Sequence, residues 1–193
     1  MKRLPFCSIA ICSFAFLLLS INFYVSKQDL KQIVESIQSE VIMIPFNSMQ
    51  MLSNVRSDEF QPPCDSCCDY KYVVYYDSLK CSTCQMAHMA IWYKYLGVCK
   101  KNNVNISFVF IFSPTSSDVY NVINKYYSQK YSFHVYIDKN KAFEQNNKFI
   151  CNHRGCRSII IDSNNHIVFW GDPTVNKQEE DRFYRFINRF VIK

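Results

Sequence analysis

Glycine is almost missing from this chain. Gly97, Gly155 and Gly171 are the only three in 193 residues, and each stands alone. Neither the glycine-rich dinucleotide fingerprint nor the phosphate loop of nucleotide hydrolases can be assembled from isolated glycines. A dominant charge is missing too. The 22 basic and 16 acidic residues leave a net charge of +6, with Lys2 and Arg3 part of it and the rest scattered. No basic stripe marks a nucleic-acid face, so nucleic acid is not expected as a partner. Apolar residues are plentiful, at 49%, and aromatics reach 16%, which excludes a chain too polar to fold.

Charge is wholly absent from Leu4 to Val25, a run of 22 residues directly after Met1-Lys2-Arg3. At about 1.5 Å per residue such a helix is about 33 Å long, enough to cross a bilayer core. The leading Lys2 and Arg3 keep the N-terminus cytoplasmic and send the remainder across. A cleaved signal peptide needs small residues before its cut, and the exit Ser20-Ile21-Asn22-Phe23-Tyr24-Val25 offers no good site. A lipoprotein would use Cys12, but Ile11 occupies the position that needs a small side chain. An uncleaved single-pass anchor over 1–26 is therefore the expectation, with Cys7 and Cys12 in lipid as small apolar residues. Residues 27–69 read as an amphipathic helix and spacer: Leu30, Ile33, Val34, Ile37 and Val41 recur at helical spacing, and Pro45 and Pro62-Pro63 end regular structure. A compact domain is expected over 70–193.

Eight cysteines remain: Cys64, Cys67, Cys68, Cys81, Cys84, Cys99, Cys151 and Cys156. An even number beyond an export segment points to an oxidising compartment and to disulfides. Cys64, Cys67 and Cys68 look structural, with Cys99 as a possible outside partner. From residue 70 the pattern alternates. Tyr72–Tyr76 reads as a strand, Cys81 to about Val98 as a helix stopped by Gly97, and Asn105–Phe112 as a strand buried on both faces. Ser116-Ser117-Asp118 caps a helix to about Lys130, Phe133–Ile137 is a strand, and 141–147 a short helix. Ser158–Ile161 and His166–Trp170 form a hairpin across Asp162-Ser163-Asn164-Asn165. The last helix starts at Asn176, with Glu179 three residues on as in a capping box, and carries an apolar face of Phe183, Phe186, Ile187, Phe190 and Val191.

Cys81-Ser82-Thr83-Cys84, after the first strand and opening the first helix, followed by this order of elements, resembles the thioredoxin superfamily. It is similar in particular to membrane-anchored, extracytoplasmic thioredoxin-like proteins of the cytochrome c maturation (TlpA-like) group, whose extra helix and strand would be supplied by 118–138. The resemblance covers about 70–193. It implies an α/β fold, a central mixed sheet flanked by helices, preceded here by the transmembrane helix. It also implies a thiol-disulfide oxidoreductase at the periplasmic side of a bacterial inner membrane, with protein thiol or disulfide substrates and an upstream electron donor or acceptor. No cofactor beyond the redox-active disulfide is called for.

A cysteine at a helix N-terminus has its thiolate stabilised by unpaired N–H groups and the helix dipole. Cys81 is therefore the expected nucleophile, with Lys80 adding positive charge, and Cys84, one turn on, resolves the mixed disulfide. The chain departs from the family's pattern at several positions. Lys80 replaces a tryptophan, Ser82-Thr83 replaces Gly-Pro, and Tyr75 stands where a buried acid is usual, which leaves Asp77 as the nearest substitute proton acceptor. Arg157 takes the place of the cis-proline that faces the dithiol, so a trans bond is expected there. Cys156 beside it is a candidate third redox thiol, alone or with Cys151, or half of a structural Cys151–Cys156 bridge. Two other readings stay open. Cys81, Cys84 and His88 share a helix face and could hold copper in a metallochaperone. The domain could also be a non-catalytic thioredoxin-like binding module. A c-type haem is excluded, because Gln85 stands where the haem motif needs histidine.

Overall fold

The computed structural model describes residues 34–37, 39–53, 68–148 and 157–190. The anchor expected over 4–25 lies outside them. Among the described residues no helix is long and apolar enough to cross a membrane. The chain divides after Ser39 into two compact units. In the first, residues 34–37 and 39 are helical, as the spacing of Val34 and Ile37 predicts. Val41, counted on the same apolar face, falls in the second unit, where it is exposed and forms an isolated bridge with His166.

The second unit begins at Glu40 rather than near residue 70. The segment read as spacer supplies a strand, β1 (Gln50–Leu52), of which only Leu52 is buried. Three residues with one apolar side turned inward are too short for alternation to announce them. The order then runs β2 (Tyr70–Tyr76), α1 (Ser82–Ala87), α2 (Trp92–Lys101), β3 (Ile106–Phe112), α3 (Val119–Gln129), β4 (His134–Ile137), α4 (Ala142–Asn146), β5 (Ser158–Asp162), β6 (Ile167–Trp170) and α5 (Lys177–Asn188). The six strands form one sheet in the order β1-β4-β3-β2-β5-β6. Strands β2, β3 and β4 run parallel, while β1, β5 and β6 pair antiparallel to their neighbours. This is an α/β fold with a mixed sheet, the arrangement that the thioredoxin resemblance implies.

Strand β2 is bonded on both sides, Tyr72 lying opposite Phe108 of β3 and Ile160 of β5. On one face of the sheet Tyr72, Val74, Phe108, Phe110, Phe112 and Ile160 join a single core with Met86, Trp92, Tyr126, Phe183 and Ile187 from the helices. Trp92 packs edge-on against Tyr72 at 5.3 Å between centroids, and its Nε1 donates to the Tyr76 hydroxyl at 3.2 Å.

The helix expected from Cys81 to about Val98 is two helices joined by a 3₁₀ turn over Met89–Ile91. Met86, Met89, Trp92 and Tyr95 recur every three residues, and all four are buried. In a continuous α-helix steps of three drift steadily around the axis, whereas a 3₁₀ turn eclipses residues three apart. The interruption keeps the four side chains on one stripe. Gly97 does not stop the helix: it lies exposed within α2, which ends at Lys101 with Asn103 at φ 54° beyond it.

The expected hairpin turn is present, and the expected capping box forms only in its forward half. Asp162 Oδ1 accepts from the N–H groups of Asn164 and His166, both at 2.9 Å, and Asn165 takes φ 63° to close the β5–β6 hairpin. Asn176 Oδ1 caps α5 by accepting from Glu179 N–H at 2.9 Å, while the Glu179 carboxylate turns to Arg182 Nη1 instead of back to the cap.

Gly171 closes β6 at φ 141°, a backbone setting that side-chain-bearing residues rarely adopt. Its N–H donates to Ser158 O at 2.8 Å and its carbonyl accepts from the buried Tyr72 hydroxyl at 2.6 Å. A Cβ there would strike the Glu179 carboxylate. Gly171→Ala is expected to destabilise the domain by about 1–3 kcal/mol, the range for a strained backbone position, read as a lower denaturant midpoint at unchanged slope.

Candidate functional site

The central strand β2 leads into the turn Asp77–Lys80 and so to Cys81. Asp77 Oδ1 accepts from Leu79 N–H at 3.2 Å, bending the backbone back on itself within the turn. Cys81 is the N-cap of α1. The first N–H groups of a helix have no partner within it. Here the N–H of Cys84 donates to the Cys81 sulfur at 3.3 Å, and Thr83 Oγ1 lies 3.2 Å from the same sulfur. Both cysteines are exposed free thiols, so the pair stands as a dithiol.

The two thiols are pushed apart. Cys81 is held below the ordinary thiol range by hydrogen bonds, first from the Cys84 side chain, then from Thr83 and from the Cys84 backbone. Cys84 is raised, chiefly because its thiol is the donor in the bond to Cys81, with burial adding to it. Lys80 is exposed. The difference arises chiefly inside the four-residue motif, with the charge of Lys125 drawing Cys84 the other way.

Asp77 is buried, at 6% exposure, and its carboxylate is ion-paired with the Arg157 guanidinium. Asp77, the nearest substitute proton acceptor in the sequence, thus shares its carboxylate with Arg157. The Arg157 carbonyl in turn accepts from Tyr75 N–H at 2.8 Å, just before the cysteine turn. Residues 77 and 157, separate candidates in the sequence, are one unit. No cis peptide bond occurs among the described residues. Cys156 lies outside them, as do Cys64, Cys67 and Cys151.

His88 is the C-cap of α1 and is exposed. Among the described residues no three of His, Cys, Asp or Glu gather closely enough to hold a metal ion. Cys99 was a possible disulfide partner for the 64–68 cluster. It is instead a free thiol in the core, and burial pushes its pKa up to about 12.

A cleft of about 500 Å³ opens next to the cysteine turn, lined by Asp77, Lys80, Gln85, Arg157, Asp172 and Arg182 among others but by neither cysteine. The sequence reading passed over Asp172 and used Gln85 only to exclude a haem. It treated Thr83 only as a replacement for proline. A hydroxyl two residues after an N-cap cysteine is the signal that could have identified it as a donor to sulfur.

No protein-family model matches the chain, and no curated protein matches it. Among solved structures it is similar to an uncharacterized thioredoxin-like protein from Porphyromonas gingivalis (13% identity, TM-score 0.48, covering 80% of this chain and 92% of that one). It is also similar to a putative thiol:disulfide interchange protein DsbE from Chlorobium tepidum (15% identity, TM-score 0.44, covering 64% and 83%). A third is the thioredoxin domain of a thiol-disulfide oxidoreductase from Bacteroides vulgatus (14% identity, TM-score 0.45, covering 77% and 99%). None of these likenesses bears on the chemistry, which rests on the geometry of the dithiol itself.

A lowered pKa leaves more thiolate at any pH below the ordinary thiol value. At neutral pH Cys81 should therefore be alkylated by iodoacetamide faster than Cys84. Thr83→Val removes one donor to the sulfur, so the midpoint of the Cys81 rate against pH should move up. A midpoint unmoved by the substitution would show that the hydroxyl does not hold the thiolate.

Proposed function

We propose that this chain is a membrane-anchored thiol-disulfide oxidoreductase acting on exported protein substrates, its domain on the periplasmic side of a bacterial inner membrane. One observation carries the chemistry: the Cys81 sulfur caps α1 and is bonded by Cys84 and Thr83, which separates the two thiols into nucleophile and reserve. The uncharged run from Leu4 to Val25 behind Lys2 and Arg3 supports the anchor.

The Cys81 thiolate attacks one sulfur of a substrate disulfide. A bond forms between Cys81 and that sulfur, and the other substrate sulfur leaves as thiolate. Cys84 then loses its proton and attacks the Cys81 sulfur. The substrate is released as a dithiol, the Cys81–Cys84 disulfide remains, and two electrons have passed from protein to substrate. The same steps run backwards oxidise a substrate. The direction follows from the potential of the pair and of its electron partner. A raised pKa keeps Cys84 protonated during the first attack, so the mixed disulfide forms before it is resolved.

Cys84→Ser leaves the nucleophile without its resolving thiol. It is expected to accumulate mixed disulfides with exported proteins, seen as reductant-sensitive bands, while Cys81→Ser gives none. Full function in the Cys81→Ser, Cys84→Ser double variant would instead mark a binding module. Stoichiometric Cu(I) retention lost in His88→Ala would mark a copper carrier.

A further inference from the structure

Helices α1 and α3 pack against each other. Met86 of α1 joins the core together with Val122 and Tyr126 of α3. Just past α3, the Tyr131 hydroxyl donates to Ala87 O of α1 at 3.2 Å. The segment 118–138 is thus fastened to the helix that opens with the dithiol. This contact holds a single charge. α1 contains no acidic or basic residue, and Lys125 is the only one in α3.

Lys125 lies three residues after Val122 and directly before Tyr126, so it flanks the buried stripe of α3 and does not stand opposite it. It is partly covered, whereas Asn124 and residues 127–130 are exposed. Among the described residues its ammonium has no ion-pair partner. Around Cys84 stand Cys81 and Thr83 of its own motif, Lys125 from α3, and His88 one turn on in α1. The bond to the Cys81 sulfur raises the Cys84 thiol most, and burial and the Cys81 charge add to that. Thr83 and the Lys125 charge pull it down.

That balance changes during the reaction. Once Cys81 is bonded to a substrate sulfur it carries no charge, and its thiolate no longer holds the Cys84 proton. Lys125 remains. Its charge therefore counts most at the stage when Cys84 has to ionise. Resting on the dithiol reading above, we propose that Lys125 is a positioning residue for the resolving step, its ammonium stabilising the Cys84 thiolate within the mixed disulfide. Cys84 is exposed, so its thiol gives the proton to water. The Cys84 sulfur then attacks the Cys81 sulfur. A bond forms between the two, the bond from Cys81 to the substrate sulfur breaks, and that sulfur leaves as a thiolate with the electron pair. Lys125 itself exchanges neither proton nor electron.

The test separates the two steps with an uncharged probe. The full chain in detergent, reduced beforehand, is mixed with 4,4′-dithiodipyridine, each half of which absorbs when it leaves as thiopyridone. The first phase is attack by Cys81 and depends on probe concentration. The second is resolution by Cys84 and does not. Cys84→Ser assigns them, because it keeps the first and lacks the second. Lys125→Gln should slow the second phase relative to the first by about threefold at neutral pH, the scale of one partly exposed charge contact. Loss of the positive charge favours the protonated thiol, so the pH midpoint of the second phase should move up. It should move further in Lys125→Glu and return in Lys125→Arg. Added salt should slow the second phase of the unaltered chain by screening the same contact. A second phase indifferent to both substitutions and to salt, or two phases that shift together, would overturn the role of Lys125 and leave the dithiol chemistry standing. A second phase missing from the unaltered chain would sink the dithiol reading as well.

Discussion

The N–H of Cys84 has no partner inside its helix and bonds to the sulfur of Cys81. Every other feature of the site serves to put that sulfur there. Helix starts usually satisfy such groups with a hydroxyl or carboxylate oxygen. When the acceptor is sulfur, the bond that stabilises the helix end also stabilises the thiolate. The capping and the reactivity are one interaction, so the fold and the chemistry cannot be varied separately at this point. The hydroxyl of Thr83 adds to the same effect on the same atom.

That interaction needs a fixed platform. Strand β2 is hydrogen-bonded to β3 on one side and β5 on the other, which fixes where the cysteine turn begins. The Asp77–Arg157 pair then ties the turn to the entrance of β5. Burying a carboxylate is costly unless it is paired and bonded, and Asp77 has both an ion pair and the Leu79 N–H. The partner also comes from the strand neighbouring β2. Removing Arg157 would leave the buried Asp77 carboxylate without its counter-charge, so positions 77 and 157 form one energetic unit.

Much of this was legible in the sequence, for identifiable reasons. Strands and helices with long apolar patterns, such as 105–112 and the helix from Asn176, were visible because packing demands those periods. The lowered pKa of Cys81 was visible because a cysteine opening a helix meets unpaired N–H groups. Three features were not legible. Strand β1 is too short to show a pattern. The 3₁₀ turn at Met89–Ile91 depends on where the sheet requires Met86, Met89, Trp92 and Tyr95 to point, which is a tertiary matter. The union of Asp77 with Arg157 joins residues eighty positions apart, and no local pattern carries that information.

The positions where this chain departs from the family it resembles surround one site. A lysine at 80 removes the large apolar surface that a tryptophan would place beside the nucleophile, and exposes a charge instead. Arginine at 157 replaces a rigid ring with a guanidinium that must be matched by Asp77. Across the cleft, Gly171 keeps room for the Glu179 carboxylate, which would collide with any Cβ there, and Glu179 in turn holds Arg182. Each change exchanges apolar contact for polar contact along the same wall. A cleft walled in this way would select a ligand less by buried apolar area than by matched charge and hydrogen bonds. Such selection is directional, and it is weakened by salt where the charges are exposed.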